Sequence, residues 1–310
     1  MNERRILVIA GPTAVGKTEY AIDIAREFDG EIVSCDSMQL YKYMDIGSAK
    51  PTPEERAAVP HHLVDMIDPA EDFSVVKYNK LAKSAIADII SRGKTPIIAG
   101  GTGLYLNSLL YDMDFGISGS DEGFRLEMTK LAEEKGPEHL HDILKEKDPD
   151  AAERLHPNNI KRVIRALEAC EKGGSINDFN NVTERTKDYD QLLIGLSRDR
   201  QNLYDRINLR VDKLIEAGLL DEVKMLMDMG FTADDIAMKG IGYKEIIDYY
   251  NGVYTLEEAI DTVKKNTRHY AKRQMTWFRR YKDMKWFDLD AYGSKEQAIE
   301  EIILWLREKF

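Results

Sequence analysis

Residues Gly11-Pro12-Thr13-Ala14-Val15-Gly16-Lys17-Thr18 fit G-x-x-x-x-G-K-[ST], the pattern of a phosphate-binding loop. The run Arg5-Ile6-Leu7-Val8-Ile9-Ala10 comes just before and predicts a buried strand. Just after, Tyr20, Ala21, Ile24, Ala25 and Phe28 recur at helical spacing over residues 19–28. Strand, glycine loop and helix form the context that the pattern requires. A glycine-rich turn that binds nothing would lack these flanks. Glycines let backbone N–H groups turn inward onto phosphate oxygens. The helix N-terminus adds the positive end of a dipole. Lys17 supplies a mobile cation, and Thr18 a hydroxyl that can ligate Mg²⁺. The loop alone leaves open which phosphates it holds.

Outward from the loop, Glu31-Ile32-Val33-Ser34-Cys35-Asp36 predicts a second buried strand ending in a carboxylate. In an open parallel sheet the strand C-termini gather at one edge, where ligands bind. Asp36 is therefore expected beside the phosphate loop, with a turn or capping aspartate as the plainer alternative. Thr95-Pro96-Ile97-Ile98-Ala99 predicts a third strand, running into the glycine turn Gly100-Gly101-Thr102-Gly103 at the same edge. Thr102 either turns its hydroxyl toward the ligand or caps a helix over residues 104–110. Between these strands, residues 74–91 have helical periodicity closed by Gly93. His61 and His62 read as structural, because neighbours on a strand point to opposite faces.

The 310 residues suffice for about two domains. A hydrophobic content of 43% and a charged content of 32% are those of a soluble globular protein. The two cysteines, Cys35 and Cys170, form neither a disulfide framework nor a zinc pattern. Met1-Asn2-Glu3-Arg4-Arg5 leads straight into the first strand, so no signal peptide is expected. No apolar run approaches membrane-spanning length. A cytosolic protein without membrane contact is expected.

Near Phe115-Gly116-Ile117-Ser118-Gly119-Ser120 the pattern changes. Residues 121–174 read as helices broken at Gly136-Pro137, Asp148-Pro149 and His156-Pro157. The expected division is an α/β core of residues 1–117 and 190–310, interrupted by a helical insertion over 118–189. Leu192-Leu193-Ile194-Gly195-Leu196 returns to strand character, followed by helices over 203–217, with Arg206 and Arg210, and over 219–229. Trp286-Phe287-Asp288-Leu289 predicts an edge strand, and residues 295–310 a closing helix.

The formal net charge of -11 argues against nucleic-acid binding, but such binding depends on local patches. From Leu256 a helix runs into Lys264, Lys265, Arg268, Lys272, Arg273, Arg279, Arg280, Lys282 and Lys285, opposed only by Asp261 and Asp283. Tyr270, Trp277, Phe278 and Tyr281 are interleaved. A basic stripe with stacking residues is the footprint of a nucleic-acid surface. A solvated amphipathic helix is the alternative.

Six blocks together resemble the tRNA dimethylallyltransferase family, bacterial type. They are the phosphate loop; Asp36-Ser37-Met38-Gln39 with Met44-Asp45-Ile46-Gly47; Gly100-Gly101-Thr102-Gly103-Leu104-Tyr105; Arg162-Val163-Ile164-Arg165-Ala166-Leu167-Glu168; Gly242-Tyr243-Lys244; and Tyr270-Ala271-Lys272-Arg273-Gln274-Met275-Thr276-Trp277-Phe278-Arg279. Tyr43 stands where a glycine is common, Ser48 where threonine is usual, and Lys239-Gly240 where Gln-Ala is familiar. The resemblance implies an α/β fold, a P-loop NTPase-like parallel sheet flanked by helices, with a helical insertion and a helical C-terminal region. It implies transfer of a dimethylallyl group from dimethylallyl diphosphate to N6 of the adenosine beside the tRNA anticodon. Gly11 to Thr18 would hold the diphosphate with Mg²⁺ on Thr18, and no zinc is expected. The partner would be the tRNA anticodon stem-loop, bound by a monomer. The tRNA contacts implied are Asp36, Ser37, Met38, Gln39, Thr102, Arg125, Lys161, Arg162, Val163, Ile164, Arg165, Lys239, Gly240, Ile241, Gly242, Tyr243 and Lys244. On the stripe they are Lys272, Arg273, Gln274, Met275, Thr276, Trp277, Phe278 and Arg279.

In this reading Lys17 and Arg210, with Arg206 as second choice, stabilise the departing diphosphate. Asp36 takes the N6 proton as general base, and Thr102 orients the nucleophile or the diphosphate. A nucleotide kinase would use the same loop but leaves the basic stripe unexplained. A non-catalytic RNA switch leaves Asp36 without a role, and a prenyltransferase acting on free AMP would not need the helical insertion. The contrast between total and local charge makes a prediction. Phosphate contacts release counterions, so tRNA affinity should fall with salt by a log–log slope of about 0.7 to 0.9 per phosphate neutralised. Changing Lys272 and Arg273 together to Glu should flatten that slope and leave diphosphate binding intact. Equal slopes for both proteins would make the stripe a solvated face.

Overall fold

The computed structural model describes residues 4–113, 121–174 and 184–309. Its six strands are β1 (Arg5–Ala10), β2 (Gly30–Cys35), β3 (His61–His62), β4 (Thr95–Gly100), β5 (Asp190–Ser197) and β6 (Lys285–Asp288). They form one sheet in the order β3-β2-β4-β1-β5-β6, with every neighbouring pair parallel. β1 lies at its centre, with Val8 level with Ile98 on one side and Leu193 on the other. A parallel sheet is covered on both faces, so its strands are continuous apolar runs rather than alternating ones. Ile6, Leu7, Val8 and Ile9 are accordingly all buried. This topology puts the phosphate loop, Asp36, the second glycine turn and Arg198 at the C-terminal edges of four strands, where ligands of open α/β sheets bind.

Around the sheet run α1 (Lys17–Glu27), α2 (Pro53–Ala58), α3 (Val75–Ser91) and α4 (Gly103–Leu110). Ser74 caps α3 by accepting from Lys77 N, and Gly93 follows it at φ 74°. Tyr43, at the position where glycine is common in the resembled family, has φ 65°, a left-handed conformation that glycine adopts without strain.

The chain divides into two compact units, Met1–Leu110 with Arg185–Phe310, and Tyr111–Glu184. The second unit therefore replaces the expected 118–189. Its start moves because the core's last helix residue is Leu110, and the composition change at Phe115 to Ser120 lies outside the described residues. Its end moves because Thr186 N and Gln191 Nε2 both donate to Leu110 O, which ties residues 186–191 to the core ahead of β5.

The second unit holds α5 (Glu122–Lys135), α6 (Pro137–Lys147), α7 (Pro149–Arg154) and α8 (Ile160–Glu171). Pro137 and Pro149 sit in first turns, where proline's missing N–H is not needed, so two of the predicted breaks are helix starts. Val163 and Ile164 are buried with Leu140, Leu144 and Ala166, so their side chains are not RNA contacts. Lys161, Arg162 and Arg165 are exposed on the opposite side of α8. Arg125 is paired within the unit to the buried Glu168 (2.7 Å).

The first unit continues with α9 (Arg200–Glu216), α10 (Leu219–Asp228), α11 (Tyr243–Tyr250), α12 (Leu256–Phe278) and α13 (Lys295–Lys309). Phe310, expected in the closing helix, lies outside the described residues. Among the described residues no helix is long and apolar enough to cross a membrane.

Far from the ligand edge, at the start of β2, the buried Glu31 receives Arg92 Nη2 (2.8 Å) and His62 Nε2 (2.7 Å). This bears out the structural reading of His62. The Arg92 hydrogen bonds, helped by His62 and opposed by burial, hold the Glu31 carboxyl down at about 2. A depressed carboxylate contributes stability that is present above its unfolded value and lost as pH falls through the folded one. Glu31→Gln should cost about 1–3 kcal/mol at neutral pH, because the half-exposed Arg92 is partly solvated. The cost should shrink between about pH 4.5 and pH 2. Urea unfolding of both proteins across that range is the measurement, and a pH-independent difference would contradict the ion-pair account.

Candidate active site

The phosphate loop is shaped by what holds its carbonyls. Ala14 (φ 63°) and Gly16 (φ 113°) are both left-handed, which turns neighbouring amides toward one point. The carbonyls point outward, where Arg206 Nε donates to Ala14 O (2.9 Å) and Arg198 Nε to Val15 O (3.1 Å). Arg198 is itself fixed by Asp290 (2.7 Å). Lys17 Nζ bonds back to Gly11 O (3.0 Å) and Pro12 O (2.8 Å). Arg206 is thus a brace of the loop, whereas Arg210, one turn further along α9, has no hydrogen-bond or ion-pair partner among the described residues. The two arginines, equivalent by sequence, are separated in this way. The Thr18 hydroxyl also has no partner among the described residues and lines the same cavity.

That cavity, about 770 Å³, joins the loop to Asp36, Ser37, Met38 and Gln39, to Arg210, and to Lys239, Gly240, Ile241 and Gly242. Its size lies within the range of small-molecule sites. Asp36 accepts Met38 N with Oδ1 (2.9 Å), so the plain turn reading is correct for one oxygen. Oδ2 has no hydrogen-bond partner among the described residues, and Asp36 lines the cavity. Thr102 stands at the N-cap position of α4, where its carbonyl accepts Leu106 N (3.0 Å), but its hydroxyl does not cap the helix. Its hydroxyl accepts Ser37 N (3.0 Å) and so fixes the segment that carries Asp36. Burial, then the neighbouring Arg210 charge, hold the Lys17 ammonium down at about 8, with Asp36 and Cys35 pulling the other way. Burial also pushes Arg210 down. Two desolvated cations and one carboxylate therefore line one cavity, an arrangement that favours a multiply charged anion.

Around the site several expected RNA contacts prove internal. Tyr243 is buried and donates to Glu222 Oε1 (2.7 Å). Glu222, 175 to 177 residues away in sequence, also accepts Asp45 N, Ile46 N and Gly47 N and so shapes the Met44 to Gly47 loop. Gln274 is buried between Thr13 N and Gly101 O. Phe278 and Tyr281 are core residues, with Tyr281 hydroxyl bonded to Asn107, so they are not stacking platforms. Met275 is half-buried. Lys244, Lys272, Arg273, Thr276 and Arg279 are exposed.

His269, Lys272, Arg273, Thr276, Trp277 and Arg280 line a groove of about 520 Å³ on α12. Trp277 lies over Gly103, where a Cβ would come within 2.4 Å of its ring. The stripe is less basic than its sequence, because Lys264 pairs with Asp212 on α9 (2.6 Å); Arg268 keeps its charge and is held by Asn208 (2.6 Å). Sequence reading missed Arg198 and Glu222. The strand-end rule would have pointed to Arg198, which directly follows β5; nothing local marks Glu222.

Fold and loop define a P-loop protein of the doubly wound parallel class, with a helical insertion and a cationic helix beside the site. Residues 39–281 match the IPP transferase family, and the chain belongs to it. A tRNA dimethylallyltransferase from Alkaliphilus oremlandii is 53% identical over 97% of this chain and 96% of its own. One from Clostridioides difficile is 49% identical over 99% of both chains. Among solved structures, the tRNA isopentenylpyrophosphate transferase of Bacillus halodurans is 46% identical, with a TM-score of 0.75 over 99% of this chain and 96% of that one. A eukaryotic dimethylallyltransferase described as acting on tRNA is 31% identical, with a TM-score of 0.77 over 92% of this chain and 74% of its own.

The Lys17 environment predicts a pH dependence. Anion binding needs the charged ammonium, which is present below about pH 8 and lost above it. The affinity for inorganic diphosphate should fall as pH rises through that value, by up to about tenfold per unit. Titration calorimetry of the wild type against Lys17→Ala separates this from the titration of the ligand. Parallel profiles would remove Lys17 from the binding charge.

Proposed function

We infer that the protein transfers the dimethylallyl group of dimethylallyl diphosphate to N6 of A37, the adenosine 3′ to the tRNA anticodon, yielding N6-isopentenyladenosine and diphosphate. Family membership supports the reaction. The observation that carries the assignment of roles is that Asp36, whose Oδ2 has no hydrogen-bond partner among the described residues, lines the same cavity as Lys17, Thr18 and Arg210. The cations suit a diphosphate, and the carboxylate a proton acceptor.

Departure of the diphosphate leaves cationic character on the allylic C1, so stabilising the leaving group lowers the barrier. We assign Lys17, Arg210 and the inward loop amides to that task. The adenine N6 lone pair is delocalised into the ring, which makes it a weak nucleophile. It sheds a proton as the C–N bond forms, and we assign Asp36 Oδ2 to accept it, because Oδ1 alone is engaged in the turn. Thr102 acts at one remove, by holding Ser37.

The unpartnered Thr18 hydroxyl beside a diphosphate pocket fits Mg²⁺, which typically takes one or two protein oxygens and completes its shell with phosphate and water. When bound, the ion would neutralise diphosphate charge. The adenine must leave its stack to enter the cavity, which is cheaper from an anticodon loop than from a duplex. The exposed Lys272, Arg273 and Arg279, with the groove around Trp277, suit the RNA backbone and an unstacked base. Loop, base and basic helix belong to one chain, which supports a monomer acting on tRNA.

The test is incubation with labelled dimethylallyl diphosphate and total tRNA, beside AMP and ATP controls. Label should enter tRNA alone, without ATP consumption. Asp36→Asn keeps the Oδ1 turn contact and removes the proton acceptor. It should lower kcat by about 10²–10⁴ with little change in tRNA affinity. An unchanged kcat would exclude Asp36 as the base.

A further inference from the structure

On the function inferred above, the phosphate loop serves the donor and the Asp36 turn serves the acceptor. The loop is braced by Arg198, Arg206 and Lys17. The acceptor side has an anchor of its own in Glu222 on α10, a carboxylate residue only 8% exposed. Its Oε2 accepts Asp45 N (2.7 Å) and Ile46 N (2.7 Å), and its Oε1 accepts Gly47 N (2.9 Å) and the Tyr243 hydroxyl (2.7 Å).

Two segments of the cavity wall meet at this carboxylate. Gly47 is the last of the three anchored amides and the first of residues 47–49, which line the cavity. Tyr243 directly follows residues 239–242, which line it too. A Cβ on Gly47 would lie 2.5 Å from the Tyr243 ring, so the two segments touch here. Both then close on the turn that carries Asp36. From the first segment, Ala49 O accepts Gln39 Nε2 (3.2 Å), while Gln39 Oε1 accepts Ser34 Oγ (2.9 Å). The amide of Gln39, a residue expected among the RNA contacts, is thus engaged inside the protein. From the second, a Cβ on Gly240 would lie 2.5 Å from Met38 Cε. Met38 N in turn donates to Asp36 Oδ1 (2.9 Å). Ala49 is left-handed (φ 46°), a conformation that a residue other than glycine keeps only where its surroundings impose it.

The four donors need both oxygens of a carboxylate. A glutamine offers one acceptor oxygen and an NH₂ group. Its least disruptive placement keeps the Asp45 and Ile46 amides on the oxygen and turns the NH₂ to the Tyr243 hydroxyl, which can accept. The Gly47 N–H is then left facing a donor. Glu222→Gln therefore loosens the seam at Gly47, the one of the three anchored residues that lines the cavity.

We propose that Glu222 is a positioning residue for the acceptor: it joins the two wall segments and, through Met38 and Gln39, sets where the adenine of the RNA lies against Asp36, without acting on the donor.

The experiment is steady-state turnover of the full chain with labelled dimethylallyl diphosphate and an anticodon stem-loop RNA that carries the adenosine 3′ to the anticodon. Calorimetric titration of inorganic diphosphate with Mg²⁺ and thermal melting are measured beside it. Glu222→Gln should raise the KM for RNA by at least about 5-fold, the lower end for one buried donor left unmet. Diphosphate affinity should stay within about 2-fold of wild type, because the loop has separate braces. Gly47→Ala leaves the carboxylate intact and presses on the Tyr243 ring from the other side of the seam. It should give the same split between RNA and diphosphate, and it decides the question if Glu222→Gln does not fold.

A merely structural anchor predicts a lower melting temperature and a smaller active fraction, hence a lower kcat with the KM for RNA unchanged. That result overturns the proposal. Diphosphate affinity falling as far as the KM for RNA rises overturns it too. If wild type modifies the RNA and both variants match it, the positioning role falls and the function stands. If folded wild type does not modify the RNA, both fall.

Discussion

Backbone amides and a lysine that converge on one point repel each other when nothing occupies it. The phosphate loop meets this constraint through its outward side. Lys17 turns back onto Gly11 O and Pro12 O, Arg206 holds Ala14 O, and Arg198 holds Val15 O. Each bond satisfies a carbonyl and so fixes the peptide plane that carries it. Arg198 in turn depends on Asp290, which also accepts Asp199 N (2.8 Å) and Asn202 Nδ2 (2.7 Å). The segment after β6 thereby supports the loop after β1, through the start of α9. The sheet order makes this possible, since β5 lies between β1 and β6.

The same logic governs the two loops that face the phosphate loop. Thr102 fixes the Ser37 amide, so the position of Asp36 is set by the turn after β4 rather than by its own strand alone. Glu222 receives three consecutive amides of the Met44 to Gly47 loop and the Tyr243 hydroxyl. A carboxylate accepting several backbone N–H groups is a strong charge-assisted arrangement, and it ties the loop to α10 and α11. Gly47 belongs to this contact, because a Cβ there would lie 2.5 Å from the Tyr243 ring.

Much of the α/β core was legible because its signals are local. Apolar runs mark β1, β4 and β5, and Ser74 with Gly93 brackets α3. The strand-end rule placed Asp36 beside the loop without any tertiary information. The failures share another cause. Whether a residue of α12 meets solvent or the sheet depends on partners far away in sequence. Phe278 and Tyr281 were read as stacking surfaces, but α4 covers Tyr281 through Asn107. Lys264 was counted as free positive charge, although Asp212 of α9 neutralises it. Val163 and Ile164 were carried into the RNA contacts inside a motif whose apolar positions are core by their spacing. Periodicity alone would have removed them. The braces on Ala14 and Val15 had no sequence signature beyond an arginine after a strand.

The charges around the cavity carry a cost, and its magnitude bears on what the cavity is for. Lowering Lys17 from 10.5 to about 8 corresponds to about 3 kcal/mol against its charged form. Burial accounts for most of this, but Arg210 adds to it, and Asp36 only partly offsets the two. Moving either cation to the surface would relieve the strain without disturbing the sheet, since neither belongs to the apolar core around Leu7, Ile9 and Ile24. A structural role would have selected a neutral pair or a second carboxylate at this place. Two desolvated cations beside one carboxylate are relieved by a ligand that brings at least two negative charges to them.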